Sequence, residues 1–202
     1  MILKKVEVLI DKGEFSKTAE WQKIQNEISE SIRSLEHPVG VGKFVLRDEL
    51  GKKRGKGNGV KPIRDMFCQK MYQAGWDLET KIGIASRLRP GPLDATRKIG
   101  NQFFAVEWET GNISSSHRAL NKLSLGLMNK TLIGGALVLP TRKMYQYLTD
   151  RVGNFEELEP YFPLWRCLQC VEGLLVIFAV EQDAVDKNVP RLVKGTDGRA
   201  LA

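Results

Sequence analysis

Histidine and cysteine are scarce in this chain, with two and three among 202 residues, and both shortages narrow its chemistry. An odd number of cysteines rules out a pure disulfide framework and makes a reducing cytoplasm the simplest compartment. Cys167 and Cys170 have metal or redox spacing, yet Cys68 is the only further thiol, and a structural zinc usually needs four ligands. Two reduced cysteines on or near a sheet edge are the plainer reading. His37 and His117 have no evident partners for a nucleophilic triad. Long apolar runs are also missing. The longest, 132–139 and 174–180, are strand-sized, well below the roughly 18 residues of a membrane span. The opening Met-Ile-Leu-Lys-Lys-Val-Glu-Val holds no apolar core long enough for a signal peptide. With no repeat, low-complexity tract or linker, residues 1–202 are expected to form one domain with no membrane partner.

What is present is a globular composition, 42% hydrophobic and 27% charged. Thirty-one Lys and Arg against 24 Asp and Glu leave a formal net charge of +7 and a pI near 9.3, which suits a polyanionic partner. The excess is concentrated. Residues 51–64 carry Lys52, Lys53, Arg54, Lys56, Lys61 and Arg64 with no acid, and glycines at 51, 55, 57 and 59 disfavour helix or central strand. Such a loop can approach phosphates closely. It lacks interleaved aromatics, so duplex backbone contact fits better than single-strand stacking. A merely solvated surface loop is the alternative.

Periodicity sketches the elements. Residues 6–10 read as a strand. Trp21, Ile24, Ile28, Ile32 and Leu35 form a helical stripe, ended by His37-Pro38. Pro62 can open a second helix, with Ile63, Met66, Phe67 and Met71 on one face. Residues 103–110 alternate as a strand. Ser114, Ser115 and Ser116 are cap candidates for a helix with a Leu120, Leu123, Leu127 stripe. Residues 131–139 read as a central strand, Pro140 opens a helix, 155–162 form a short acidic helix, and 174–181 are another buried strand. Alternating strands and helices predict an α/β sandwich, a central mixed sheet flanked by helices. Trp21, Trp76 and Trp165 read as packing residues.

The loudest segment chemically is Glu107-Trp108-Glu109. On a strand both carboxylates share a face, and their repulsion must be offset by a metal, a basic partner or water. Asp94, after the Gly91-Pro92 turn, would join them through a hairpin. Three clustered oxygen ligands suit Mg²⁺. A solvated face beside Arg97 or Lys98 is the alternative. A glycosidase pair fits poorly, because two glutamates on one strand cannot flank a bond from opposite sides.

A longer pattern surrounds these acids. Residues 107–118 read EWETGNISSSHR, followed by Asn121-Lys122-Leu123; YLTDRV spans 147–152 and NFEELEPYF 154–162; Asn188-Val189-Pro190 and KGTDG (194–198) come later, with Asn58-Gly59-Val60, Pro62-Ile63 and GPLD (91–94) upstream. These blocks resemble the BamHI family of type II restriction endonucleases over most of 58–198, and its compact members even at the C-terminal end.

The resemblance implies a restriction-endonuclease-like fold and a homodimer that cuts duplex DNA with Mg²⁺ at the palindrome GGATCC, leaving four-base 5′ overhangs. By position, Asp94, Glu107 and the backbone carbonyl of Trp108 would be metal ligands, and Glu79 a further acid of the catalytic and metal site. Glu109 stands where related nucleases commonly have lysine and would be the base for the attacking water. Asn112, Ser114, Arg118, Asp150 and Arg151 would read base edges, a task suited to their donor and acceptor sets. Lys61 and Arg64 would contact DNA, and Gly195, Asp197 and Gly198 belong to a C-terminal arm, 188–202, that would reach the minor groove. His117 fits a structural or phosphate-contacting role. The rival is a catalytically silent dimeric DNA-binding protein of the same fold, which would not need Asp94, Glu107 and Glu109 all intact.

Overall fold

The computed structural model describes residues 1–51, 55–84, 91–149 and 151–194. Asp150, Gly195, Asp197, Gly198 and positions 52–54 of the basic loop lie outside the described residues. In chain order the elements are β1 (Ile2–Lys12), α1 (Ala19–Arg33), β2 (Val45–Arg47), α2 (Lys61–Gln73), β3 (Asp77–Thr80), β4 (Leu93–Ile99), β5 (Gln102–Trp108), α3 (Ile113–Met128), β6 (Leu132–Pro140), α4 (Arg142–Tyr145), α5 (Phe155–Leu158), α6 (Phe162–Arg166), β7 (Gly173–Glu181) and β8 (Ala184–Asp186).

Six strands form one sheet in the order β1-β7-β6-β5-β4-β3. The β5-β6 and β6-β7 pairs are parallel, while β1-β7, β4-β5 and β3-β4 are antiparallel. The sheet is mixed, with helices on both faces, as the sequence predicts. β6 and β7 are buried along their whole length, which explains their unbroken apolar runs. Val138, Val176 and Phe178 face the layer of α1 and α2, with Trp21, Ile24, Ile28, Phe67 and Trp76. Leu137, Leu139, Leu175 and Ile177 face the other layer, with Leu120, Leu123 and Leu127 of α3 and Phe155, Phe162 and Trp165 beyond it.

Several boundaries differ from expectation for identifiable reasons. β1 extends from Ile2 to Lys12 because it pairs with all of β7. α1 stops at Arg33, where the Ser34 hydroxyl donates to the Ser31 carbonyl at 3.1 Å and satisfies the frayed end. α3 is capped by Asn112 rather than by a serine: its side chain accepts from the Ser114 N–H at 3.1 Å. Pro140 ends β6, and Thr141 caps the short α4 instead. The acidic 155–162 segment is a helical turn, a 3₁₀ turn and the start of α6. β2 and β8 pair in a separate two-stranded parallel sheet that periodicity did not reveal.

The sheet is tightest where β6 passes Phe104 of β5. A methyl group on Gly134 would overlap the Phe104 ring, which is itself fully buried against Trp21 and Trp76. Gly134→Ala should therefore cost about 1–3 kcal/mol by overpacking, read as a lowered midpoint in urea denaturation at unchanged slope.

Candidate active site and recognition cleft

β4 and β5 are joined by a tight hairpin, and the Ala95–Val106 pair sets Asp94 opposite Glu107. The Asp94 N–H donates to Glu107 Oε2 at 3.4 Å, and Asp94 Oδ2 accepts from the Trp108 N–H at 2.7 Å. Both residues are buried, their side chains 12% and 10% exposed, so the solvated-face alternative fails. Arg97, one of the cations offered for that face, instead pairs with Glu27 of α1. Strand alternation sends the Trp108 ring to the opposite side, 4.9 Å from Phe67 of α2.

Two cations meet this pair from opposite layers. From α2, Arg64 donates to Asp94 Oδ1 through Nε at 3.0 Å and Nη2 at 2.5 Å, and its Nη2 also bonds Glu79. Burial works against the Arg64 charge, but Asp94 more than offsets it and raises the pKa further. From α3, Lys122 forms an ion pair with Glu107 Oε1 and donates to the carbonyls of Gly91 and Pro92 at 3.4 and 3.2 Å. Burial and the neighbouring Asp94 push the Glu107 carboxyl upward, with Lys122 pulling it down.

Glu109 lies just past β5, held by its N–H to the Val138 carbonyl at 2.8 Å. It shares the α3 side of the sheet with Glu107 but has different company. Its Oε1 accepts from the Gly111 N–H at 2.6 Å, while the buried Oε2 and Ser116 hydroxyl lie close enough to interact but make no hydrogen bond of regular geometry. Burial pushes its pKa up to about 7, against the opposing pull of Ser116 and the Gly111 and Thr110 amides. Among the described residues no group of three or more Asp, Glu, His or Cys could hold a metal ion. The expected three-carboxylate cluster is therefore a pair, because Glu109 turns toward the start of α3 and Glu79 joins only through Arg64. Mg²⁺ commonly uses one or two carboxylates and several waters, so the hard oxygens of Asp94 and Glu107, adjacent across β4 and β5, fit such an ion.

A cleft of about 590 Å³ opens at the N-terminus of α3. Asn112, Ser114 and Arg151 line it together with Gly51, Gln146 and Glu157. Arg151 adopts φ +50, as Glu79 adopts φ +51, a left-handed backbone uncommon outside glycine and frequent at functional sites. Arg118 is exposed one turn along α3 from Ser114, its Nη2 3.1 Å from the Ser115 hydroxyl. Lys61 pairs with Asp65 at 2.5 Å at the start of α2. The expected grouping of Arg64 with DNA contacts sits beside a different observed partner, Asp94. His117 packs edge-on against Tyr161 at 4.6 Å, and Trp21, Trp76 and Trp165 are buried. Cys68 is buried, and burial followed by the Asp94 charge pushes its thiol up to about 12. Cys167 and Cys170 are free thiols. The sequence assigns no role to Lys122, although its place four residues after Arg118 and eight after Ser114 on one helix face was an available signal.

The profile described as restriction endonuclease BamHI matches residues 1–199. The chain is 48% identical over 201 residues to the type II restriction enzyme OkrAI of Oceanobacter kriegii, covering 100% of both chains. It is 36% identical over 186 residues to the type II restriction enzyme BamHI of Bacillus amyloliquefaciens, covering 88% of this chain and 82% of that one. The chain belongs to the BamHI family. It is accordingly a type II restriction endonuclease, a site-specific deoxyribonuclease. In fold it is similar to restriction endonuclease BglII, solved in complex with a DNA 16-mer, with a TM-score of 0.55 at 11% identity over 96% of this chain and 89% of that one. No described helix is long and apolar enough to cross a membrane.

The two states of Glu109 give a pH signature. A carboxyl raised from 4.5 to about 7 by folding binds protons preferentially in the native state, so wild type loses stability as pH rises through that window. Without metal, Glu109→Gln should be more stable than wild type by roughly 1–3 kcal/mol at pH 8. The advantage should shrink below pH 7 and vanish near 4.5. Urea melts in EDTA across this range measure it, and a gap independent of pH would exclude burial of ionised Glu109 as its source.

Proposed function

We propose that this endonuclease binds duplex DNA as a homodimer and cuts it at the palindrome GGATCC, with Mg²⁺, leaving 5′ GATC overhangs. The observation that carries the specificity is the single cleft lined by Asn112, Ser114 and Arg151. Arginine offers a rigid fork for guanine O6 and N7, while asparagine and serine complete a polar reading edge. Arg118 on the next turn of α3 extends that edge, and Asp150 would accept from cytosine. The arm with Gly195, Asp197 and Gly198 is assigned to the minor groove. Lys61 and the basic loop supply positive charge to the backbone.

A palindrome presents one half-site twice, and two-fold symmetry lets one contact set serve both. The Leu120, Leu123, Leu127 stripe, a natural candidate for the dimer face, is buried against the sheet. Leu125 and Met128 of α3 remain outside, as do Tyr161 and Leu164; these apolar side chains support a second copy docking there.

For the reaction, Asp94 and Glu107, with the Trp108 carbonyl and Glu79, would hold Mg²⁺. The chemistry such an ion supplies when bound is Lewis-acid stabilisation of charge developing on the phosphate. Glu109 orients the attacking water and takes its proton at Oε2, the carboxylate oxygen left without a regular hydrogen bond. A pKa near 7 leaves a substantial ionised fraction at neutral pH with enough basicity to accept that proton. The Gly111 amide fixes Oε1, so the carboxylate keeps one orientation.

Incubation with Mg²⁺ and mixed-sequence plasmid, followed by sequencing of the ends, should return GATC overhangs from GGATCC alone; robust cutting in excess EDTA would overturn the metal dependence. Glu109→Ala should keep sequence-specific binding while turnover falls by about 10²–10⁴ or more. Full activity in that variant removes Glu109 from the mechanism.

Recognition has its own test. Lysine cannot reproduce the guanidinium fork, and one bidentate contact discriminates by about 1–3 kcal/mol. Arg151→Lys should therefore lower kcat/KM on GGATCC much more than on a duplex already altered at the base pair Arg151 reads. Equal losses on both duplexes would assign Arg151 to phosphate instead.

A further inference from the structure

The carboxylate pair is already neutralised by the protein itself. Asp94 and Glu107 face each other across β4 and β5 in a setting that excludes most water. Unpaired, two buried carboxylates at this separation would destabilise the hairpin that carries them. Arg64 and Lys122 prevent that, one on Asp94 and one on Glu107, approaching from the two opposite helical layers. Both cations are mostly buried, with side chains 18% and 15% exposed, so solvent screens these pairs far less than surface pairs. The Lys122 ammonium is further fixed by the Gly91 and Pro92 carbonyls. Arg64 is shared with Glu79.

We propose that Lys122 and Arg64 are resident counter-ions of Asp94 and Glu107, positioning residues that occupy the carboxylate oxygens until a divalent cation displaces them. This rests on the reading of Asp94 and Glu107 as metal ligands. A metal and an ammonium cannot both sit on Glu107 Oε1 without strong repulsion. Free protein therefore holds metal weakly while remaining folded, and the carboxylates are not armed until their internal partners withdraw. Lys122 lies on the same face of α3 as Ser114 and Arg118, whose side of the helix is open to solvent at Arg118.

The test is metal binding by the DNA-free protein, followed by luminescence of Tb³⁺ excited through the tryptophans, with Mg²⁺ as competitor. Lys122→Met, which keeps the apolar stem and removes the charge, should bind Tb³⁺ about tenfold or more tightly than wild type. It should also melt at a lower temperature without metal and recover most of that loss when Tb³⁺ is added. Lys122→Arg keeps the charge and should stay near wild type in both readouts. Arg64→Met should show the same tightening through Asp94 and stands in if Lys122→Met does not fold. Adding Glu107→Gln to Lys122→Met should abolish the gain. Equal or weaker Tb³⁺ affinity in folded Lys122→Met or Arg64→Met overturns the proposal. Glu107→Gln alone provides the separation: if it binds Tb³⁺ as wild type does, the ligand reading fails and the proposal with it. If it loses Tb³⁺ but Lys122→Met matches wild type, only the counter-ion role falls, and Glu107 keeps its place as a metal ligand for GGATCC cleavage.

Discussion

Two carboxylates held side by side out of water set the terms for their surroundings. Asp94 and Glu107 are brought together by backbone pairing, not by attraction, so each nearby element has to supply something against their repulsion. The Trp108 amide gives a hydrogen bond, α2 gives Arg64, and α3 gives Lys122. Those three donors come from the sheet and from both covering layers. The sandwich is thus tied together at its functional edge by charge, while its centre is tied by apolar and aromatic side chains. Removal of one partner from such a buried pair costs far more than loss of a surface ion pair, because the remaining charge has no water to turn to.

The same strand end separates two jobs. Glu107 faces a cation, and Glu109, two residues later, faces amides and a buried hydroxyl. Burial raises the proton affinity of both side chains, and their surroundings then differ: Asp94 adds to the rise at Glu107 while Lys122 opposes it, and at Glu109 the Ser116 hydroxyl and the Gly111 and Thr110 amides oppose it. The proposed division, Glu107 as ligand and Glu109 as base, rests on those different partners.

Much of this was legible in the residues. The apolar runs of β6 and β7 could only be central strands, and the Gly91-Pro92 turn followed by two strand-like segments correctly placed Asp94 next to Glu107. The matching blocks around 107–118 pointed to Asn112 and Ser114, which line the cleft at the start of α3. Other features depend on contacts that no local pattern encodes. β2 and β8 are three residues each and exist only because distant segments meet. Asn112 outcompetes three neighbouring serines as a cap through its extended backbone and the reach of its amide. Arg64 stands in a run that looks uniformly free to bind phosphate, yet its guanidinium is committed to Asp94 and Glu79 once α2 packs against β3 and β4. Tyr145, Gln146, Leu148 and Arg151 join Asn112 and Ser114 in one cleft, a neighbourhood set wholly by tertiary packing.

α3 spans the distance between the cleft at Asn112 and Ser114, proposed to read bases, and the carboxylate pair. Ser114 and Lys122 are eight residues apart on one face, about 12 Å along the axis. A helix resists compression along its length far better than it resists movement as a whole. Its inner stripe is locked against β6 and β7, while its N-terminal end is open to the cleft. On the proposed reading α3 is in effect a push-rod: a load that bases place on Asn112 and Ser114 would be carried along one continuous helix toward Lys122, and so toward the grip on Glu107.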